Sequence, residues 1–215
     1  MRPRLCLPLM LLVPAISAPA QVSISIGLPH MNIGINVPVM PDLVQVPGSP
    51  AYYAPGMDQN FFYYDGMYWV FKDDNWYASS WYNGPWSPVH PEAVPLFVLR
   101  IPVGYYRRPP VYFRGWQAEG PPRWGERWGL DWSRRRAGWD QWDRRAVPPP
   151  ARLPVYQRDY RGERYPAPER QHALHEENYR HQPQEPVVRD HYAAQAEHGR
   201  SAPREGHRED EPRHH

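Results

Sequence analysis

The stretch NFFYYDGMYWVFKDDNWYASSWYNGPW, residues 60–86, decides the fold of this chain. It alternates aromatic runs with short polar turns. Asp65-Gly66 and Asn83-Gly84 are typical of two-residue hairpin turns of type I′, because that turn needs positive φ at both central positions. The polar run Lys72–Asn75 is a third turn. Turns that recur about every nine residues between aromatic runs predict an antiparallel meander.

The register of the first hairpin follows from its turn. With Asp65-Gly66 as the loop, Tyr64 faces Met67 and Phe62 faces Trp69. Side chains alternate between the two faces of a strand, and here both faces are apolar. A meander usually leaves one face in water, so something must cover the second face. The candidates are the segment before the meander, the Trp-rich region after it, a partner or a ligand.

Composition limits the remaining architecture. Of 215 residues, 29 are Pro and 15 are Gly, and the prolines are spread along the whole chain. Proline breaks helix interiors and central strands, which excludes a long-helix bundle and a doubly wound α/β fold. The 10 Trp, 15 Tyr and 5 Phe exclude a wholly disordered chain. We therefore predict a mainly β fold, with a small aromatic-rich antiparallel meander, one Trp-rich and partly helical segment, and a disordered C-terminal tail.

Shifts in composition divide the chain into five segments. They are a signal peptide (1–20), a Pro/Gly-rich extended lead (21–50), an aromatic β-meander domain (51–116), a Trp/Arg-rich segment that is helical in part (117–147) and a disordered Pro/His/charged tail (148–215). Within the meander domain, the apolar run Leu96–Ile101 is a further candidate strand.

The first segment has the pattern of a secretory signal. Arg2 and Arg4 precede an apolar run over residues 5–16, and Ala18–Ala20 is a small-x-small cleavage site. The run is too short to span a bilayer of ~30 Å. Cys6 is removed with the signal, so the mature chain has no thiol chemistry. We expect an exported protein of the periplasm or cell envelope.

Alternating apolar residues precede the meander. Val22, Ile24 and Ile26 alternate with serines, and residues 33–39 repeat the pattern. Period-two alternation predicts half-buried extended chain, and the neighbouring prolines restrict it to sheet edges.

A different period follows the meander. Trp124, Trp128, Trp132, Trp139 and Trp142 are spaced so that they share one helical stripe. Docking on the second aromatic face of the sheet is one interpretation of this stripe. The other is contact with a membrane surface through Trp124, Trp128 and Trp132.

The last segment has no Trp, no Phe and few aliphatic residues. Such a composition buries too little apolar surface to offset a chain entropy of ~1–2 kcal/mol per residue, which predicts disorder. His172 and His175 are spaced for metal binding, but the segment offers no scaffold for further ligands. We predict no metal site and no cofactor.

The meander contains no convincing catalytic group. Asp65, Asp73 and Asp74 lie in turns, where Asp is favoured for backbone reasons. Ser79 and Ser80 lack the strand–turn–helix elbow of a nucleophile. Exposed aromatic rings could instead hold a sugar or a cation. The candidate ligand-binding residues are Tyr64, Trp69, Trp76, Trp81 and Trp86, and the alternative is that these rings form the core.

Three motifs carry a family resemblance. The block at residues 63–86, PPVYFRGW at 109–116 and PRWG at 122–125 resemble exported Pro/Trp/Tyr-rich hypothetical proteins of Gram-negative proteobacteria. The likeness covers roughly residues 20–165. It implies a periplasmic or envelope location and no particular activity.

Charge narrows the class of partner. Arg2 and Arg4 account for the whole formal net charge of +2, so the chain after the signal is neutral overall. Binding to nucleic acid needs a basic surface, and we predict no such partner. We expect a non-enzymatic exported envelope protein that acts by interaction or scaffolding with an envelope protein or glycan. The alternative is a binding module for a glycan or cationic envelope ligand through exposed aromatic residues.

Overall fold

Six antiparallel strands in sequence order form the centre of the molecule. The computed structural model describes residues 34–141, 143 and 145–201, with side chains described through residue 197. The strands are β1 (Val44–Gln45), β2 (Tyr52–Tyr53), β3 (Asn60–Tyr64), β4 (Met67–Lys72), β5 (Asn75–Ser79) and β6 (Ser87–Val89). The predicted aromatic-rich antiparallel meander is confirmed.

The first hairpin has the predicted register. Tyr64 is paired with Met67 and Phe62 with Trp69. Asp65 and Gly66 both have positive φ, 48° and 92°, as the type I′ turn requires.

The turn predicted at Lys72–Asn75 is confirmed, whereas the type I′ turn predicted at Asn83-Gly84 is wrong. Asp73 and Asp74 take positive φ, 49° and 61°, and join β4 to β5. In the predicted pair Asn83-Gly84, only Gly84 has positive φ. That pair lies in the loop of residues 80–86, which is too long for a two-residue hairpin. Asn83 instead accepts a hydrogen bond from Val37 N at 2.6 Å and so fixes the lead.

One face of the sheet packs against two helices, α1 (Leu96–Leu99) and α2 (Trp124–Arg135). The predicted strand at Leu96–Ile101 is wrong, because the residues after Pro95 form a turn of helix whose Val98 and Leu99 are buried against the sheet. The Trp-rich segment is helical in part, as predicted. Gly129 interrupts α2 with φ of 84°.

Residues 151–165 of the C-terminal segment (residues 148–197) cover the other face together with the lead, while Val188, near the end of that segment, is buried on the first face beside α1 and α2. Ile35, Val37 and Met40 of the lead are buried with Phe61, Tyr63, Tyr68 and Val70 of the sheet. Ala151 and Tyr165 of the C-terminal segment pack on the same cluster. That segment contains α3 (Pro168–Asn178) and α4 (Pro186–Ser201). The second apolar face therefore finds its cover within the chain.

The predicted start of the disordered tail at residue 148 is wrong. The segment is folded although it has few large aliphatic side chains, because it buries Val188 and several polar side chains that are hydrogen-bonded. Gln157, Gln171, His175 and His191 are at most 5% exposed. The rest of the predicted tail, residues 202–215, lies outside the described residues.

Several other predictions also lie outside the described residues. They concern the signal at residues 1–20, the alternating residues Val22, Ile24 and Ile26, and Trp142. Among the helices that are described, none combines the length and the apolar character needed to cross a bilayer.

Candidate functional site

The five aromatic residues predicted to bind a ligand are core residues. Tyr64, Trp69, Trp76, Trp81 and Trp86 are at most 7% exposed. They are buried because the C-terminal segment and the two helices cover both sheet faces. The expectation of exposed rings at these positions is therefore corrected, since the folded chain offers none of these ring faces to solvent.

The Trp stripe packs on the sheet. Trp124 and Trp132 are 0% and 2% exposed. The Trp124 ring lies 5.2 Å from the ring of Phe71 and 6.1 Å from that of Trp76. Trp128 is half-buried and stacks on Trp124, with centroids 4.4 Å apart and planes 8° apart. The described members of the stripe thus belong to the core, and among them only Trp128 retains substantial exposure.

A tyrosine–histidine cluster joins the C-terminal segment to the sheet. The Tyr63 and Tyr179 hydroxyls are hydrogen-bonded at 2.7 Å. Tyr68 donates to Gln157 Oε1 at 3.0 Å, and the Gln157 amide donates to the Ser80 carbonyl at 2.9 Å.

His175, the buried histidine of this cluster, is hydrogen-bonded to a tyrosine. The Tyr156 hydroxyl and His175 Nδ1 lie 3.0 Å apart. Burial lowers the pKa of His175 to about 4, so this imidazole is neutral at pH 7. Burial also raises the pKa of Tyr63 and Tyr68 well above the usual range, and that of Tyr179 to about 12. The cluster is therefore uncharged and largely sealed, which suits it to holding the segment in place.

A second polar contact ties the start of α4 to the first hairpin turn, and we call it the Asp65 clasp. The Asp65 carboxylate lies 2.9 Å from His181 Nε2 and accepts from the backbone N–H groups of Gln184 and Glu185 at 2.7 and 2.8 Å. Glu185 in turn accepts from the Tyr64 hydroxyl at 2.9 Å. Burial raises the pKa of Glu185.

The histidines of the C-terminal segment do not gather into a metal centre. His172 lies 3.4 Å from the Glu176 carboxylate, and His175 faces Tyr156. Within the described part of the chain, no three His, Cys, Asp or Glu side chains converge as metal ligands would.

An open cleft of about 480 Å³ presents two half-buried aromatic rings, and we call it the ring-lined cleft. Phe97, at the start of α1, and Tyr105, in a short 3-10 helix, supply the rings. The remaining walls come from Pro47–Ser49, Arg100, Pro102, Gly104, Ala118 and Glu119.

Main-chain hydrogen bonds fix the walls of the ring-lined cleft. Val103 N donates to the Gly120 carbonyl and Gly104 N to the Ala118 carbonyl, both at 2.9 Å. The Tyr105 ring packs edge-on against Tyr53 at 4.8 Å. The Phe97 ring packs against Tyr64, with centroids 5.7 Å apart, so contacts within the protein hold both rings.

Polar groups accompany the two rings. The Arg100 guanidinium lies 5.5 Å over the Phe97 ring and donates to the carbonyls of Gly138 and Trp139. Glu119 is exposed and forms no ion pair with another described residue. The Ser49 hydroxyl accepts from Ala51 N at 3.2 Å, so its own hydrogen can be donated. Rings beside a carboxylate can hold the apolar face of a sugar or a cationic group.

Sequence reasoning missed this site. The strand predicted at Leu96–Ile101 contains Phe97, and Tyr105 lies in a connecting stretch without a motif. One feature of the sequence could have indicated the cleft. Phe97 and Tyr105 lie close in sequence to Pro102 and Gly104, and proline and glycine favour an irregular, exposed backbone. Comparisons with protein-family models, with curated proteins and with solved structures found no match for this chain.

Proposed function

We propose that this is a non-enzymatic exported protein of the cell envelope that acts by interaction, and that it binds its partner in the ring-lined cleft. The observation that carries the proposal is the pairing of two half-buried rings, Phe97 and Tyr105, with the exposed carboxylate of Glu119 in one cleft. Binding sites commonly combine such apolar surfaces with a few placed polar groups.

The fold favours binding at this cleft over the positions first considered. A half-buried ring on a fixed wall can gain contact with a ligand without unfolding anything, whereas Trp69 and Trp81 are fully buried. The pre-set walls reduce the entropy that binding would otherwise cost.

The ligand class follows from the groups in the cleft. The Phe97 and Tyr105 rings suit the C–H face of a glycan, and Glu119 can accept from its hydroxyl groups. The same carboxylate and rings suit a cationic group of quaternary ammonium type. Glycans and quaternary ammonium groups are both ligands that an exported envelope protein would encounter.

Calorimetric titration of the chain from residue 21 to 215 tests the binding proposal. The probes are a disaccharide-peptide fragment of peptidoglycan and choline. Tyr105→Leu should weaken binding of the effective probe about two- to thirtyfold, since stacking on a ring contributes ~0.5–2 kcal/mol. Glu119→Gln should weaken choline binding and leave glycan binding within about twofold, which distinguishes the two classes.

The matched control is Tyr77→Leu, which removes another half-buried tyrosine, on β5 and outside the cleft. It should bind like the wild type. The proposal fails if neither probe binds the wild-type chain, or if Tyr105→Leu binds as tightly as Tyr77→Leu.

Export has its own test. Ala18-Pro19-Ala20 makes a cleavage point, so the full chain expressed in a Gram-negative host should be recovered from the periplasmic fraction beginning at Gln21. Recovery of the uncleaved chain from the cytoplasm would contradict export.

A further inference from the structure

A short loop projects two prolines and a valine from the sheet side that carries α2. The loop RRPPVYFRGW, residues 107–116, is called here the proline tip. Pro109 is exposed and Val111 is 79% exposed, more than any other large hydrophobic side chain of the described residues. Single exposed hydrophobic residues are common on proteins, so the surroundings of Val111 decide its meaning.

The protein holds the tip outward from both ends. The Asn60 side chain donates to the Arg108 carbonyl at 2.7 Å and accepts from Arg108 N at 2.8 Å. At the other end Phe113 is 3% exposed and stacks on Trp116 at 4.6 Å. Phe113 N also donates to the Pro110 carbonyl at 2.9 Å. The residues between these anchors cannot fold back onto the core.

Amphipathic rings flank the apolar tip. Tyr112 and Trp116 are half-buried, and the Tyr112 hydroxyl donates to Asp74 Oδ1 at 2.7 Å. The Arg127 guanidinium lies 5.0 Å over the Tyr112 ring. Tyrosine and tryptophan in such positions are favoured at a boundary between an apolar phase and water.

Three arginines lie on the tip, at positions 107, 108 and 114, and the acidic side chains Asp58 and Asp74 contact it through Arg108 and Tyr112. Arg107 and Arg114 are exposed and form no ion pair with a described residue, whereas Arg108 pairs with Asp58. The nearest acidic residue along the chain after the tip is Glu119. Guanidinium groups bind phosphate well, because their donors match its oxygens.

We propose that the proline tip docks this protein on an anionic lipid surface. Pro109, Pro110 and Val111 enter the headgroup region, and Arg107 and Arg114 contact lipid phosphates. The combination of an apolar point, flanking Tyr and Trp, and two exposed arginines without an ion pair to a described residue fits this partner. The surface differs from the predicted membrane contact through Trp124, Trp128 and Trp132, of which only Trp128 is substantially exposed. It is also independent of ligand binding in the ring-lined cleft.

Co-sedimentation with vesicles tests the proposal on the chain from residue 21 to 215. The wild type should bind vesicles of phosphatidylcholine with phosphatidylglycerol and should not bind phosphatidylcholine alone. Arg107→Glu and Arg114→Glu should each weaken binding about fivefold or more, because a basic residue near an anionic surface contributes that factor. Raised salt should weaken wild-type binding.

The apolar contribution needs neutral substitutions. Val111→Ser should weaken binding about twofold or more, and Val111→Trp should strengthen it. The matched controls are Val155→Ser, at a valine that is 57% exposed on the C-terminal segment, and Arg161→Glu, at an exposed arginine of the same segment. Both controls should bind like the wild type, and thermal melts of all variants check that the fold is kept.

Three results would overturn the proposal. The first is wild-type chain that stays in the supernatant with anionic vesicles. The second is equal loss of binding by the tip variants and the control variants. The third is sensitivity to the arginine substitutions with no response to either Val111 substitution, because any polyanion would then serve as the partner.

Discussion

Asp65 serves two structural purposes through one side chain. Its backbone takes the positive φ of the hairpin turn, 48°, and its carboxylate makes the Asp65 clasp with the start of α4. The residue is 5% exposed, so its hydrogen bonds are shielded from water. The neighbouring Gly66 is also constrained, because an added Cβ would lie 2.9 Å from the His181 ring.

We expect Asp65→Ala to lower the free energy of unfolding by ~1–3 kcal/mol, since it leaves the part-buried backbone N–H groups of Gln184 and Glu185 without their acceptor. Chemical denaturation measures this. Asp73→Ala is the control, because Asp73 has nearly the same φ, 49°, and its carboxylate is exposed. Equal losses for the two variants would mean that the turn, and not the clasp, requires the aspartate.

Two buried indoles differ in one hydrogen bond. Trp124 and Trp76 are 0% and 1% exposed. Trp124 Nε1 donates to the Leu99 carbonyl at 3.0 Å, while Trp76 Nε1 has no acceptor among the described residues. Trp124→Phe should therefore destabilise the protein by ~1 kcal/mol more than Trp76→Phe. Urea denaturation of both variants gives this difference, and a larger loss for Trp76→Phe would contradict it.

Some elements of this fold are determined by their own sequence, and others depend on contacts with residues far away in the chain. The β3–β4 hairpin could be predicted to its register, because Asp65-Gly66 fixes the turn within the hairpin itself. The helix at Leu96–Leu99 could not, since a short apolar run does not distinguish a strand from a helix. The order of the C-terminal segment could not be predicted either. The segment is held by hydrogen bonds between residues far apart in sequence, such as Gln157 and Tyr68. Composition does not register such contacts.

Tertiary packing explains why the sequence did not indicate Phe97 and Tyr105 as site residues. The aromatic residues of the meander, such as Trp69, are buried in the core because α2 and the C-terminal segment cover them. Phe97 and Tyr105 stay half-buried at the rim because no element covers them fully. Which rings are left partly exposed depends on tertiary packing.

Packing of α3 and α4 should depend on pH through His175. Burial lowers the pKa of His175 to about 4 in the folded chain, below its ordinary 6.5. The folded state thus resists protonation, and its stability falls as pH drops from about 6.5 towards 4. The full loss amounts to up to about 3 kcal/mol.

Denaturation at pH 7 and pH 4.5 measures this dependence, with His175→Gln as the comparison. Glu185, whose pKa is raised by burial, has the opposite effect, so only the difference between wild type and variant isolates the histidine. The variant should lose less stability on acidification than the wild type. An identical loss in both proteins would contradict the assignment.

On the scale of the whole molecule, the sheet is a central layer with two covers. The helices α1, α2 and α4 cover one face, and the lead with residues 151–165 of the C-terminal segment covers the other. Because both faces are apolar, neither cover can leave without exposing aromatic surface. The ring-lined cleft and the proline tip both involve chain that follows the sheet and precedes the C-terminal segment.

Removal of the C-terminal segment should therefore damage the whole fold. A chain ending at Val147 uncovers Tyr63, Tyr68 and Trp81, which are fully buried in the intact protein. We expect it to bind the dye ANS, to lose its cooperative thermal transition or both. A truncated chain that melts like the full one without binding dye would show that the cover is dispensable.

The central claim is that the C-terminal segment folds with the aromatic sheet as one cooperative structure. Hydrogen–deuterium exchange with mass spectrometry on the chain from residue 21 to 215 tests it most directly. The account predicts slow exchange in peptides from β3, β4 and β5 and also in peptides from α3 and the first part of α4, with both sets released together at low denaturant. Immediate exchange throughout residues 168–197, beside a protected sheet, would contradict the account.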